Sequence, residues 1–151
     1  MLKPILLVED NPHDLELTLI ALSKSQLANQ VVICRDGAEA LDYLLAQGEY
    51  AGRSAGNPAV VLLDLKLPKV DGLEVLKTVR ATPTLRSMPV VMLTSSKEEQ
   101  DLVRSYELGV NAYVVKPVDF TEFVRAIADL GIFWAVLNEP PPGSLRYIKP
   151  H

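Results

Sequence analysis

Four short apolar runs in this 151-residue chain end in residues able to do chemistry. Ile5–Val8 runs into Glu9-Asp10, Val60–Leu63 into Asp64, Val90–Leu93 into Thr94-Ser95, and Tyr113–Val115 into Lys116-Pro117. Three carboxylates brought together repel one another unless a proton or a cation intervenes. Hard, highly charged oxygen ligands suit Mg2+, which takes one or two carboxylates, keeps several waters and adds phosphate oxygens. An Asp carboxylate is also a nucleophile that forms acyl phosphates. A Lys ammonium and a Thr hydroxyl hold the oxygens of a transferred phosphoryl group. A metal ion offsets the repulsion between a carboxylate and an incoming phosphate. Asp64 is the best nucleophile of the set because it stands alone at the end of the central run. Glu9 and Asp10 are better placed as a metal-holding pair.

These residues need a scaffold that delivers four chain positions to one place. The apolar runs do not alternate with polar residues, which suits strands covered on both faces, as in parallel sheets. A fifth run, Val31–Cys34, ends in Arg35-Asp36, which reads as a helix cap instead. Helical spacing fills the gaps between runs: Leu15, Leu19 and Leu22; Ala40, Leu41, Leu44 and Leu45; Leu73, Leu76 and Val79; Leu102, Val103, Tyr106 and Gly109. The helix starts agree. Asp36-x-x-Glu39, Asp71-x-x-Glu74, Ser96-x-x-Glu99 and Asp119-x-x-Glu122 have the form of capping boxes. Asn11-Pro12 supplies a cap and a first-position proline for the first helix. The expectation is an α/β domain, (βα)5, with a flavodoxin-like doubly wound parallel sheet of strand order 2-1-3-4-5. In such sheets ligands sit beyond the carboxyl ends of the strands, where the strand order reverses.

The expected domain covers residues 1–137. A proline-rich tail, residues 138–151, carries Pro140, Pro141, Pro142 and Pro150 and cannot continue a helix. Glu49–Asn57 reads as a long loop before the third strand. The fifth helix is expected from about Phe120 to Leu137, with Phe120, Phe123, Val124, Ile127, Leu130 and Trp134 as its core stripe. Ile132, Phe133, Val136 and Leu137 make it apolar on further faces, so a second partner is expected there. That partner is a second copy, in a symmetric homodimer through the fourth and fifth helices and the tail. The plainer alternative is that the tail folds back, with Leu145, Tyr147 and Ile148 covering the helix.

Bulk composition narrows the function. A net charge of −4 and a pI near 5.2 give no electrostatic case for nucleic-acid or membrane binding. The single Cys34 excludes an internal disulfide and sits in an apolar run, as a buried strand thiol does. Two His and one Cys, widely spread, make no zinc site. No apolar run approaches a signal peptide or a membrane span, so a cytoplasmic location is expected.

Glu9-Asp10-Asn11, Asp64 in VVLLDLKLPKVDG, Thr94-Ser95, and Lys116-Pro117 in AYVVKP together resemble the receiver domain of two-component response regulators. The likeness covers about residues 5–130. It implies that Asp64 accepts phosphate from the phosphohistidine of a sensor histidine kinase. It implies Mg2+ on Asp10, Asp64 and the backbone carbonyl of Lys66, with Glu9 assisting through a water. Glu9 stands where Asp is commoner. Lys116 would pair with the phosphoryl group, Pro117 would follow a cis peptide, and Thr94 and Tyr113 would be the switch pair, the ring turning inward. Lys66 and Ser96 occupy places that tune dephosphorylation. Such a domain catalyses only its own phosphorylation and dephosphorylation. The loop EYAGRSAGN, the segment LLDLKLPKVDG and the Trp134 ending before a proline-rich tail resemble the small response regulators that partner bacterial phytochromes.

Taken singly, each residue has a plainer reading. Asp64 could cap a helix, Thr94 could be a strand–helix turn residue, and Lys116 could lie on the surface. Agreement among four strand ends is what separates the readings. An Asp-nucleophile phosphohydrolase of the haloacid dehalogenase type wants a second Asp two residues after the first, where this chain has Lys66. A flavodoxin-like cofactor binder wants a Ser/Thr/Gly-rich phosphate loop, where Glu9-Asp10 would repel a flavin phosphate. A phosphorylation-independent adaptor would not need the acceptor, acidic pair, Thr and Lys together.

Overall fold

The computed structural model describes residues 3–24, 29–53, 56–110 and 112–131. The apolar runs become β1 (Ile5–Val8), β2 (Val31–Cys34), β3 (Val60–Asp64), β4 (Val90–Thr94) and β5 (Ala112–Val115). Between and after them lie α1 (Pro12–Lys24), α2 (Gly37–Leu45), α3 (Gly72–Ala81), α4 (Lys97–Ser105) and α5 (Phe120–Asp129). All strand pairs are parallel and the order is β2-β1-β3-β4-β5, as expected from the sequence.

Burial explains why the strands lack alternation. Every residue of β1, β3 and β4 is buried, because helices cover both faces. Leu6, Val8, Val61, Leu63 and Met92 pack with Leu76, Val79 and Val103 on the side of α2, α3 and α4. Ile5, Leu7, Val60, Leu62 and Val91 pack with Leu22, Phe123 and Ile127 on the side of α1 and α5.

The helix starts are set locally. Side chains of Asp36, Asp71, Ser96 and Asp119 accept the backbone N–H of Glu39, Glu74, Glu99 and Glu122. Asn11 Oδ1 accepts the Asp14 N–H at 2.9 Å. Each such cap contributes about 1 kcal/mol. Glu39 and Glu99 return a bond to the residue before the cap, the N–H of Arg35 and of Ser95, each at 2.8 Å.

Several side chains depart from the expected faces. In α4 Val103 is buried but Leu102 is exposed, as is Tyr106 at the helix C-cap, where the Lys77 ammonium lies over its ring at 4.4 Å. A nine-residue helix buries one narrow stripe, and Val103 lies on it. Leu45 of α2 and Phe120 at the start of α5 are likewise exposed. Trp134, the apolar residues 132–137 and the tail 138–151 lie outside the described residues. At the start of the expected long loop a 3-10 turn spans Gly48–Tyr50, and the Arg53 guanidinium stacks 4.3 Å from the Tyr43 ring centre. Cys34 is fully buried, and burial pushes its thiol up to about 12. Among the described residues no helix is long and apolar enough to cross a membrane.

Candidate functional site

β1 and β3 are neighbours with Val8 beside Leu63. The residues that follow, Glu9 and Asp64, therefore leave the sheet side by side. Glu9 is fully buried, Asp64 is nearly so, and Asp10 is exposed. Carboxylate oxygens of Glu9, Asp10 and Asp64 lie within 4.8 Å of one another. Lys116 arrives from β5, its N–H donating to the Thr94 carbonyl at 2.7 Å. Its ammonium lies 3.0 Å from Asp64 Oδ2, 3.2 Å from Glu9 Oε1 and 3.1 Å from Asp14 Oδ2.

The charges are strongly interdependent. Burial pushes the Glu9 carboxyl up to about 7, and the neighbouring Asp64 adds to this. The Asn11 N–H and the Lys116 ammonium pull the other way. Burial alone would lower the Lys116 pKa, but hydrogen bonds to Asp64 and Asp14 hold it above its ordinary value. A cluster of oxygens only, one of them on a buried carboxyl that resists ionisation without a cation, fits a hard divalent ion. Asp10, Asp64 and Glu9 would hold it.

Thr94 stands at the end of β4, next to β3. It is fully buried and its hydroxyl has no hydrogen-bond partner among the described residues. A buried hydroxyl left unpaired costs free energy until an acceptor arrives. Tyr113 of β5 pairs with Met92, two residues before Thr94. Its ring already lies inside, 6% exposed, with the Arg104 guanidinium 4.9 Å from its centre. Lys116 and Pro117 are joined by a cis peptide.

Beyond Asp64 the chain turns tightly. The Gly72 N–H donates to the Leu65 carbonyl at 2.8 Å. A Cβ on Gly72 would stand 2.1 Å from the Asp64 carbonyl oxygen, so only glycine lets α3 start against the acceptor. The Lys66 side chain is exposed, and its ammonium pairs with Glu99 Oε2 at 3.1 Å. Lys66, Asp10, Asp71 and Glu99 border a cleft of about 500 Å3 with Leu65 and Leu102 at its apolar wall. Ser96 serves as the cap of α4.

All the residues singled out at the four strand ends thus share one edge of the sheet. One participant escaped the sequence reading: Asp14. Its signal was an acidic residue in the capped first turn of the helix that follows Glu9-Asp10.

Residues 5–128 match the family model described as the response regulator receiver domain. Response regulator Rcp1 of Synechocystis sp. is 41% identical over 132 residues, 87% of this chain and 88% of that protein. The bacteriophytochrome response regulator AtBRR has 73% identity and a TM-score of 0.87, with 92% of this chain and 99% of that one covered. The Mn(2+)-bound form of Rcp1 has a TM-score of 0.70 at 41% identity, over 88% and 94% of the two chains.

Proposed function

This chain belongs to the response regulator receiver domain family, and from that we propose that it accepts a phosphoryl group on Asp64 from a sensor histidine kinase of the phytochrome type. The observation that carries the reading is the setting of Asp64: a buried carboxylate at the end of the central strand, beside an acidic pair and in contact with a lysine. The phytochrome partnership is supported by the 73% identity to a bacteriophytochrome response regulator.

A carboxylate oxygen of Asp64 attacks the phosphorus of the phosphohistidine. The bond from phosphorus to the histidine nitrogen breaks, its electron pair stays on that nitrogen, and an acyl phosphate forms. Asp10, Asp64 and Glu9, with the Lys66 carbonyl, would hold Mg2+, which would supply charge neutralisation at the acceptor. Lys116 donates to a phosphoryl oxygen. The unpaired Thr94 hydroxyl gains an acceptor in the same group, and the Thr94/Tyr113 pair shifts the population of the partner-binding state. Water attack on phosphorus later releases phosphate and restores Asp64; Lys66 and Ser96 tune that step. No other catalytic turnover is proposed.

We place the receiver domain at residues 1–137 and a tail at 138–151, in a cytoplasmic protein without nucleic-acid or membrane partners. A homodimer through α4, α5 and the tail is supported, among the described residues, by exposed Leu102, Tyr106, Val115 and Phe120.

The test is incubation with Mg2+ and acetyl phosphate, followed by intact mass measurement. Wild type gains about 80 Da, the mass of a phosphoryl group, and Asp64→Asn does not. Equal uptake by Asp64→Asn would overturn the assignment.

A further inference from the structure

Lys116 has three ammonium hydrogens and, among the described residues, three carboxylate partners, Asp64 at 3.0 Å, Asp14 at 3.1 Å and Glu9 at 3.2 Å. The ammonium is saturated, so it reaches a phosphoryl oxygen only by giving up one of these bonds. Two of the three partners belong to the acidic cluster fit for a metal ion. The third does not: Asp14 lies on α1, outside that cluster.

We infer that Asp14 is a positioning residue, which keeps the Lys116 ammonium aimed at the phosphoryl site once a divalent cation engages Glu9 and Asp64. The inference rests on the acceptor reading above. A divalent cation draws the oxygens of Glu9 and Asp64 toward itself and repels the ammonium. Lys116 sits on a flexible four-carbon stem with its side chain 16% exposed, so solvent is open to it. Asp14 offers the remaining anchor, and that anchor is fixed. The Asp14 N–H is held by Asn11 Oδ1 at 2.9 Å, and its carbonyl accepts the hydroxyl of buried Thr18 at 2.9 Å. Its side chain is 30% exposed and faces the Lys116 ammonium.

Positioning and plain electrostatics predict opposite signs. Removing a negative charge beside the site favours an incoming anion through the long-range field. Removing the anchor of Lys116 disfavours it.

The experiment measures the affinity of the full chain for beryllium trifluoride, a phosphoryl mimic, at saturating Mg2+. Asp14→Asn, which is nearly isosteric, is expected to bind about tenfold more weakly, the worth of one charge-assisted hydrogen bond. Asp14→Ser keeps a good first-turn residue without a carboxylate and is expected to show the same loss. Asp14→Glu recovers most of the affinity. In a Lys116→Met background, Asp14→Asn adds less than about twofold, because the two act as one unit. Unchanged or tighter binding by Asp14→Asn overturns the inference. So does an equal loss in the Lys116→Met background, since Asp14 would then act by another route. If wild type binds no mimic, or Asp64→Asn binds it as well as wild type, the acceptor reading itself fails and the role of Asp14 falls with it.

Discussion

Glu99 Oε2 lies 3.1 Å from the Lys66 ammonium, fastening the first turn of α4 to the loop that follows Asp64. The other oxygen of Glu99 accepts the Ser95 N–H at 2.8 Å. Burial works to raise the Glu99 pKa, but the bonds from Ser95 and Lys66 outweigh it and hold the carboxyl below its ordinary 4.5. A carboxyl with a depressed folded pKa stabilises the fold above its unfolded value and loses that contribution as pH falls through the folded one. Glu99→Gln is therefore expected to lose about 1 kcal/mol at pH 7. In urea denaturation at falling pH the variant and wild type converge below the ordinary carboxylate range. A constant gap at all pH values would contradict this account.

At the sheet edge the Lys116 ammonium pairs with Glu9, Asp14 and Asp64, and Asp10 adds a fourth carboxylate beside Glu9 and Asp64. Without a cation, removing one negative charge relieves repulsion. In EDTA at pH 8, Asp64→Asn is expected to melt higher than wild type by about 2–4 °C, near 1 kcal/mol. Millimolar Mg2+ raises the melting temperature of wild type and moves the variant much less, because only a ligand that binds the native state stabilises it. Thermal melts with and without Mg2+ check both signs.

The Thr94 hydroxyl is buried and has no partner among the described residues. Replacing it by an isosteric methyl removes that desolvation cost. Thr94→Val should gain roughly 1 kcal/mol in metal-free urea denaturation. The same variant is expected to lose the amide hydrogen-exchange changes that beryllium trifluoride produces in α4 and β5 of wild type. A destabilised Thr94→Val would show that the hydroxyl has a partner in the resting protein.

Gly72 touches the acceptor through backbone. Its missing Cβ would meet the Asp64 carbonyl at 2.1 Å and Leu65 backbone atoms at 2.8 Å. Gly72→Ala is expected to cost about 1–3 kcal/mol, the range for overpacking. Because the atom displaced belongs to Asp64, Mg2+ titration by calorimetry should show weaker binding as well.

Exposed apolar side chains on α4, β5 and α5 bear on assembly. Light scattering of wild type is expected to give about twice the 16.6 kDa chain mass. Charges placed at Leu102 and Val115, as Leu102→Glu with Val115→Glu, should give the monomer without lowering stability by more than about 0.5 kcal/mol, as surface changes do. A wild-type monomer under phosphorylating and resting conditions alike would remove the proposal.

Local physics made most of the architecture legible in the sequence. Val60–Leu63 is apolar without alternation because both faces of β3 are covered, and that shows in four consecutive residues. Asp119-x-x-Glu122 signals a helix start because the bond it makes spans three residues. The positions of Glu9, Asp10, Asp64, Thr94 and Lys116 followed from one topological rule about strand ends. Contacts without a sequence period were settled only by tertiary structure. Asp14 and Lys116 are 102 positions apart, and nothing in either segment announces the other. Tyr106 and Phe120 fit a helical apolar stripe yet face outward, since a stripe's width depends on what packs against it. The raised Glu9 carboxyl and the unpaired Thr94 hydroxyl arise from burial beneath neighbouring strands and loops. Hydrogen-bond caps and side-chain periods are short-range and written along the chain, whereas burial and charge pairing depend on which distant segments the fold sets side by side.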